Sequence, residues 1–213
     1  MKDLIIVGAR GFGRDVYAGV LETDDYKERK VAIKGFLDNK ADAFEGLRGN
    51  FPPILGSVEN YCIQENDVFF IAMGDAKWRK YYADIIEAKG GKFYTIILPG
   101  SKIFENAKIG EGCFVSRWTT ISDNVTVGKH VVIQSFTVIG HDAIVGDYCT
   151  LLNSAFMGGY SELGDSSQLS PKSMIIPHKK VGKNVIVGAA SVVMTKIKDN
   201  CSVFGNPAKR IEL

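Results

Sequence analysis

The chain has 213 residues, room for one large domain or two small ones. At 46% hydrophobic and 23% charged it has the make-up of an ordinary globular protein, not a disordered or fibrous one. A net charge of +2 gives no basic surplus for nucleic acid. No apolar run reaches the length of a membrane span.

The opening MKDLIIVGARGFG passes from a short apolar run straight into a glycine-rich turn. It has no secretory cleavage region, so the expected location is the cytoplasm. Asp3–Val7 predicts a buried strand and Arg14–Thr23 a helix, with Val16, Val20 and Leu21 at helical spacing. Between them lie Gly8, Ala9, Arg10, Gly11, Phe12 and Gly13. Strand, glycine turn and helix make a phosphate seat, because free backbone N–H groups gather at a helix start. The spacing is G-x-x-G-x-G, not the dinucleotide G-x-G-x-x-G, so a tight turn for helix–strand packing is the competing reading.

Val31–Leu37 predicts a second strand ending in Asp38 and Asn39, where an acidic residue often meets a nucleotide. Residues 40–53 read as loop. Val68–Met73 predicts a third strand, ending in Gly74 and Asp75. Ala76–Lys89 predicts an amphipathic helix with Trp78, Tyr81, Tyr82, Ile85 and Ile86 on or near its inner face. Phe93–Leu98 predicts the last strand. Residues 1–98 are thus expected to form an α/β domain with a short parallel, Rossmann-like sheet. The carboxyl ends of its strands carry Gly8–Gly13, Asp38, Asn39, Gly74 and Asp75, the side on which such sheets bind ligands.

From Ile103 to Val193 an aliphatic residue or Met recurs every sixth position without a break. The row includes Ile121, Ile133, Leu151, Met157, Ile175 and Val187. Four residues after each stands a small or β-branched residue, with Lys179 the one departure. Neither the 3.6 of a helix nor the 2 of a plain strand gives that period. A coil with three flat faces does, one hexad per face, with stacked coils pairing as parallel strands. Residues 99–213 are therefore expected to form a left-handed parallel β-helix of hexapeptide repeats, followed by a tail. Cys113 and Cys149 fall two coils apart in one column, about 9–10 Å at strand spacing. That is too far for a disulfide, and both are expected to be reduced fillers. From Ser170 onward eight Lys or Arg stand against two acidic residues. This is either a solvated basic end or a seat for a phosphorylated cofactor.

A filled prism has no interior pocket, so chemistry must lie on its outside. Three histidines are available: His130, His141 and His178. In an 18-residue coil His141 stacks on Asp123 and faces Gly159, which leaves one flank without a side chain. Asp142 follows it and is placed to orient the imidazole. His130 falls elsewhere on the coil, and His178 two turns away, so no metal site is expected within one chain. No serine stands at a spacing that marks a nucleophile. Direct transfer with His141 as general base is the economical mechanism, against the plain alternative of a surface histidine.

These features together resemble a known family, the bacterial hexapeptide-repeat sugar acetyltransferases. Sialic-acid O-acetyltransferases and nucleotide-sugar N-acetyltransferases of the 4-amino-sugar type belong to it. The likeness rests on IIVGARGFG, FLDN, IAMGD, the hexads, GHD and the ending VFGNPAKRI. It implies a homotrimer with acetyl-CoA lying between adjacent β-helices and a UDP-linked amino sugar as acceptor, in glycan or polysaccharide synthesis. It implies His141 as base and Asp142 as its acidic partner. The sugar nucleotide would be held by Gly8, Arg10, Gly11, Phe12, Gly13, Asp38, Asn39, Gly74 and Asp75. Acetyl-CoA would lie along Gly159, Ser170, Pro171, Gly188 and Ala189, with Lys209 and Arg210 near its nucleotide end. The chain departs from the family pattern at Phe12 and Cys149, where histidine is common, and at Gln134 and Gly140, where asparagine is. The alternatives are sugar O-acetylation, a non-catalytic trimeric scaffold that binds a sugar nucleotide, and a metal hydratase with ligands shared between chains.

Overall fold

The computed structural model describes residues 1–212. They fall into two compact units, Met1–Ile96 and Ile97–Leu213. The first is a four-stranded parallel sheet in the order β2-β1-β3-β4, with β1 Lys2–Val7, β2 Val31–Leu37, β3 Asp67–Ile71 and β4 Lys92–Phe93. Helices α1 (Gly11–Val20), α2 (Asp24–Lys27) and α3 (Ala76–Ala88) fill the connections. Leu4, Ile5, Ile6, Phe36, Phe69 and Phe70 are at most 1% exposed, as continuous apolar strands in a covered parallel sheet must be. The chain turns from β1 to opposite sides for β2 and β3, which leaves a crevice at their carboxyl ends.

Three expectations shift. Helix α1 begins at Gly11, three residues early, because Gly13 packs directly on the Gly8 carbonyl and draws the first turn against the strand. The inner face of α3 is Arg79, Ala83 and Ile86, at i, i+4 and i+7. Trp78 and Tyr81 are exposed and pack on one another at 5.6 Å. The buried Arg79 donates to the carbonyls of Met73 and Gly74 at 2.8 Å each. The last predicted strand is two short ones, Lys92–Phe93 and Ile96–Ile97.

The second unit is a parallel β-helix of three sheets, with five, eight and six strands. Its register pairs residues eighteen apart: Ile121 with Ile139, and Ile139 with Met157. The aliphatic row points inward; Ile121, Ile133, Ile139, Leu151, Met157, Ile175, Val187 and Val193 are fully buried. Successive corners turn through a residue with positive φ, such as Asn124 (54°), Asp142 (59°), Tyr160 (57°) and His178 (62°). This costs on the order of 1 kcal/mol per non-glycine residue, offset by the ladder it allows. The small positions do more than fill space. Cys113, Cys149 and Ser167 donate to carbonyls one coil on, those of Gly128 (3.1 Å), Gly164 (3.1 Å) and Gly182 (2.7 Å). Both cysteines are buried and reduced. The tail ends in Cys201–Phe204 paired antiparallel with Lys209–Ile211. No helix among the described residues is long and apolar enough to cross a membrane.

One polar cluster pins the first unit. The β1–β2 register slips between Leu4 and Ile5, opposite Lys34. Lys34 reaches Asp67 at 2.6 Å, and Asp67 also accepts from the Tyr61 hydroxyl (2.9 Å) and the Gln64 N–H (2.8 Å). Burial alone would push the Asp67 carboxyl up; Lys34 and the two further donors outweigh it and hold it below the usual range. A depressed folded-state value means stability present above the unfolded value, about 3.9, and lost as pH falls through the folded one. Asp67→Asn should therefore destabilise by about 2 kcal/mol near pH 7, allowing for the partly exposed Lys34. The gap to the parent in urea unfolding should narrow as pH drops below about 4.

Candidate functional site

His141 and Asp142 lie at one corner of the β-helix. Backbone bonds fix the neighbouring coils there: Asp142 N–H to Asp123 O, Tyr160 N–H to His141 O and His178 N–H to Gly159 O, each 3.0 Å. The corner residues Asn124, Asp142, Tyr160 and His178 thus form one column. Asn124 Nδ2 donates to Asp142 Oδ1 at 2.7 Å, and the other Asp142 oxygen meets His141 Nδ1 at 2.8 Å. The Asn124 amide first, then the His141 ring, hold the Asp142 carboxyl below its usual range. An ionised carboxylate only accepts, which assigns the ring proton to Nδ1 and leaves a lone pair on Nε2. The His141 side chain is 60% exposed, so a reactant has access to it.

The flank at Gly159 is not an empty gap. A Cβ on Gly159 would stand 2.8 Å from both Cε1 and Nε2 of His141, so the imidazole itself fills the space over the glycine backbone. The Tyr160 ring meets the imidazole edge to face at 5.2 Å and 89°. His178 stacks on the far side of Tyr160 at 4.9 Å and 6°. His178 therefore connects to His141 through Tyr160, although two turns separate the histidines in sequence. His130 is buried at another corner, stacked on Tyr148 at 5.0 Å.

In the first unit, a cavity of about 360 Å³ opens at the carboxyl ends of the strands. Of the residues expected there, Gly8, Arg10, Asp38 and Asn39 line it, joined by Val58, Met73, Trp78 and Tyr82. Asp38 is tied to the backbone: its oxygens accept from Ala9 N–H (2.9 Å) and Lys40 N–H (3.0 Å), so it shapes the turn as well as the wall. Burial, then Glu59, pushes the Tyr82 phenol up, which keeps it a protonated donor. Lys89 Nζ donates to three carbonyls, of Val58, Glu59 and Tyr61 at 2.8, 2.6 and 3.2 Å, and so fixes the Val58 wall. Phe12 turns toward the sheet against Phe70 (6.3 Å). Asp75 caps α3 by accepting from Lys77 N–H, and Gly74 is held by Arg79. Gly11 is exposed at the helix start, where an added Cβ would meet no atom within 4 Å.

Of the residues expected along acetyl-CoA, Gly159 lies under His141. Ser170, Pro171, Gly188 and Ala189 gather on successive coils at another corner, where Ala190 N–H bonds Pro171 O at 3.0 Å. A Cβ on Gly188 would strike the Phe204 ring at 2.5 Å. Lys209 and Arg210 are exposed on the final strand, and Arg210 borders a surface cavity of about 390 Å³ with Asn200 and Ser202. Among the described residues no group of three His, Cys, Asp or Glu is placed to hold a metal ion.

Comparison with known proteins fits this geometry. Residues 3–96 match the family model of the PglD N-terminal domain, and residues 94–190 that of the GMPPB C-terminal domain. No curated protein matches the sequence. Among solved structures, the acetyltransferase domain of PglB from Neisseria gonorrhoeae FA1090 aligns over 99% of this chain and 100% of its own, at 24% identity and a TM-score of 0.87. The chain has the fold of the hexapeptide-repeat sugar acetyltransferases. Perosamine N-acetyltransferase from Caulobacter crescentus, solved as a mutant with CoA and GDP-perosamine, covers 100% of this chain and 98% of its own at 23% identity and a TM-score of 0.86. WeeI from Acinetobacter baumannii AYE covers 99% and 100% at 22% identity and 0.75.

The turn at Gly8 (φ +100°) separates the roles of its glycines. A Cβ on Gly13 would lie 1.8 Å from the Gly8 carbonyl oxygen, whereas Gly11 has open space. Gly13→Ala should lose about 1–3 kcal/mol in urea unfolding. Gly11→Ala should stay within about 0.5 kcal/mol of the parent.

Proposed function

We propose that this protein transfers the acetyl group of acetyl-CoA to the amine of a nucleotide-linked amino sugar. The observation that carries the reading is the His141–Asp142 pair: an accessible imidazole whose Nδ1 is bound to a carboxylate at 2.8 Å. His141 Nε2 accepts the amine proton as nitrogen attacks the thioester carbonyl. The C–S bond breaks, and the imidazolium returns the proton to the departing CoA thiolate. Asp142 keeps the imidazole in the tautomer that this needs and offsets its positive charge.

The cavity lined by Gly8, Arg10, Asp38 and Asn39 is the proposed nucleotide seat, with Gly11 leaving the α1 N-terminus open to a phosphate. The perosamine enzyme of the same fold was solved with CoA and GDP-perosamine, which supports both an amine acceptor and a nucleotide carrier. The nucleotide proposed from the sequence is UDP. Acetyl-CoA is proposed to run past Gly159 on one copy and along Ser170, Pro171, Gly188 and Ala189 of a neighbour, with Lys209 and Arg210 meeting its phosphates. Those residues stand at different corners of one prism, which favours a cleft shared by copies of a homotrimer.

Thiol release from acetyl-CoA against UDP-, GDP- and dTDP-linked amino sugars, with the matching hydroxyl sugars as controls, tests the reading. One amino sugar should be turned over well above its hydroxyl counterpart. His141→Ala should cut turnover by about 10²–10⁴-fold, the usual contribution of a general base, and keep the solution mass of the parent. Equal CoA release by parent and variant would mean that His141 is not the base.

A further inference from the structure

The glycine that makes room for His141 also removes the side chain that would hold it. Gly159 offers only backbone beneath the imidazole, and the ring is 60% exposed. The hydrogen bond to Asp142 ties the ring at Nδ1 alone. The next residue along the chain supplies a stop. Tyr160 sits at the corner with φ 57°, which sends its ring to meet the imidazole edge to face at 5.2 Å. His178, one coil on in the same column, lies parallel to Tyr160 at 4.9 Å and closes off its retreat.

We propose that Tyr160, backed by His178, is a positioning residue for the His141–Asp142 pair, holding the imidazole over Gly159 in the orientation that keeps Nδ1 on the Asp142 carboxylate. The kinetic half of this proposal rests on His141 being the base; the structural half does not. Tyr160 packs on the imidazole, so its loss should change the rate of the chemical step and leave acetyl-CoA binding nearly as it was. Edge-to-face contacts between rings are individually modest, but a base displaced by an ångström loses far more in rate than the contact itself is worth.

The test compares the parent, Tyr160→Gly, Tyr160→Phe and His141→Ala. Glycine suits the positive φ, so Tyr160→Gly deletes the ring without straining the corner. Thermal melts and solution mass establish that each variant is folded and assembled. Tyr160→Gly should lower kcat by about 10- to 100-fold, as for a misplaced catalytic group. Its KM for acetyl-CoA should stay within about threefold of the parent, the signature of an interaction felt in the transition state. Tyr160→Phe keeps the ring and should recover most of that loss. Nitrogen-15 spectra of the His141 ring give a readout that needs no acceptor sugar. The parent should show one Nδ1–H tautomer and Tyr160→Gly a mixture. A Tyr160→Gly protein with parental kcat beside an inactive His141→Ala overturns the proposal and spares the base. A single tautomer persisting in Tyr160→Gly overturns it as well. Full activity in His141→Ala instead removes the base assignment, and the tautomer spectra alone then decide the role of Tyr160.

Discussion

The second unit depends on one register: coil after coil hydrogen-bonds to the coils eighteen residues before and after it, and only the last is shorter, with Val185 paired to Cys201 sixteen residues on. Ile121, Ile139 and Met157 stack inward because the backbone ladder puts them in line, and burying that row is what makes the ladder favourable. The corners follow from the same constraint. Turning between flat faces needs a left-handed residue at each, and Asn124, Asp142, Tyr160 and His178 come to lie above one another as a result. Hydroxyls and thiols at the small positions, among them Ser167 and Cys149, tie neighbouring coils where the strands end.

The candidate site is an outgrowth of that column. His141 is the residue before a corner, Asp142 the corner itself, and Asn124 the corner one coil below. A carboxylate so placed accepts from both, and the imidazole lies with its other nitrogen over the Gly159 backbone. The first unit builds its cavity by a different route. Parallel strands ending side by side leave a crevice, and the Gly8 turn, the backbone-bound Asp38 and the Lys89 clamp on Val58 shape it.

The architecture was legible because both periodicities are long and unbroken. Sixteen aliphatic positions at a spacing of six admit one solution, and apolar runs bounded by Gly8, Asp38 and Gly74 mark three parallel strands. The closeness of His141 and Gly159 was legible too, since counting by eighteen stacks them, and Asp142 follows His141 in the chain. Side-chain direction was not. Trp78 and Tyr81 read as core by helical spacing, but Arg79, with carbonyls of its own to meet, takes the inner face. Tyr160 and His178 went unrecognised as neighbours of His141 because two histidines two coils apart look remote. The aromatic ring that spans the distance lies in the coil between them. Counting the corner column 124, 142, 160, 178 would have revealed it.

A lattice set by counting has a further outcome for how such a chain can change over time. Losing a single residue between Asn124 and His141 would slide every later side chain one place around the prism, turning buried aliphatics outward and parting the Asp142 carboxylate from the Asn124 amide that holds it. Gaining or losing a whole coil would leave all later columns in phase. Length variants of this protein should therefore differ by complete turns or by excursions at the corners, and hardly ever by one or two residues within a face.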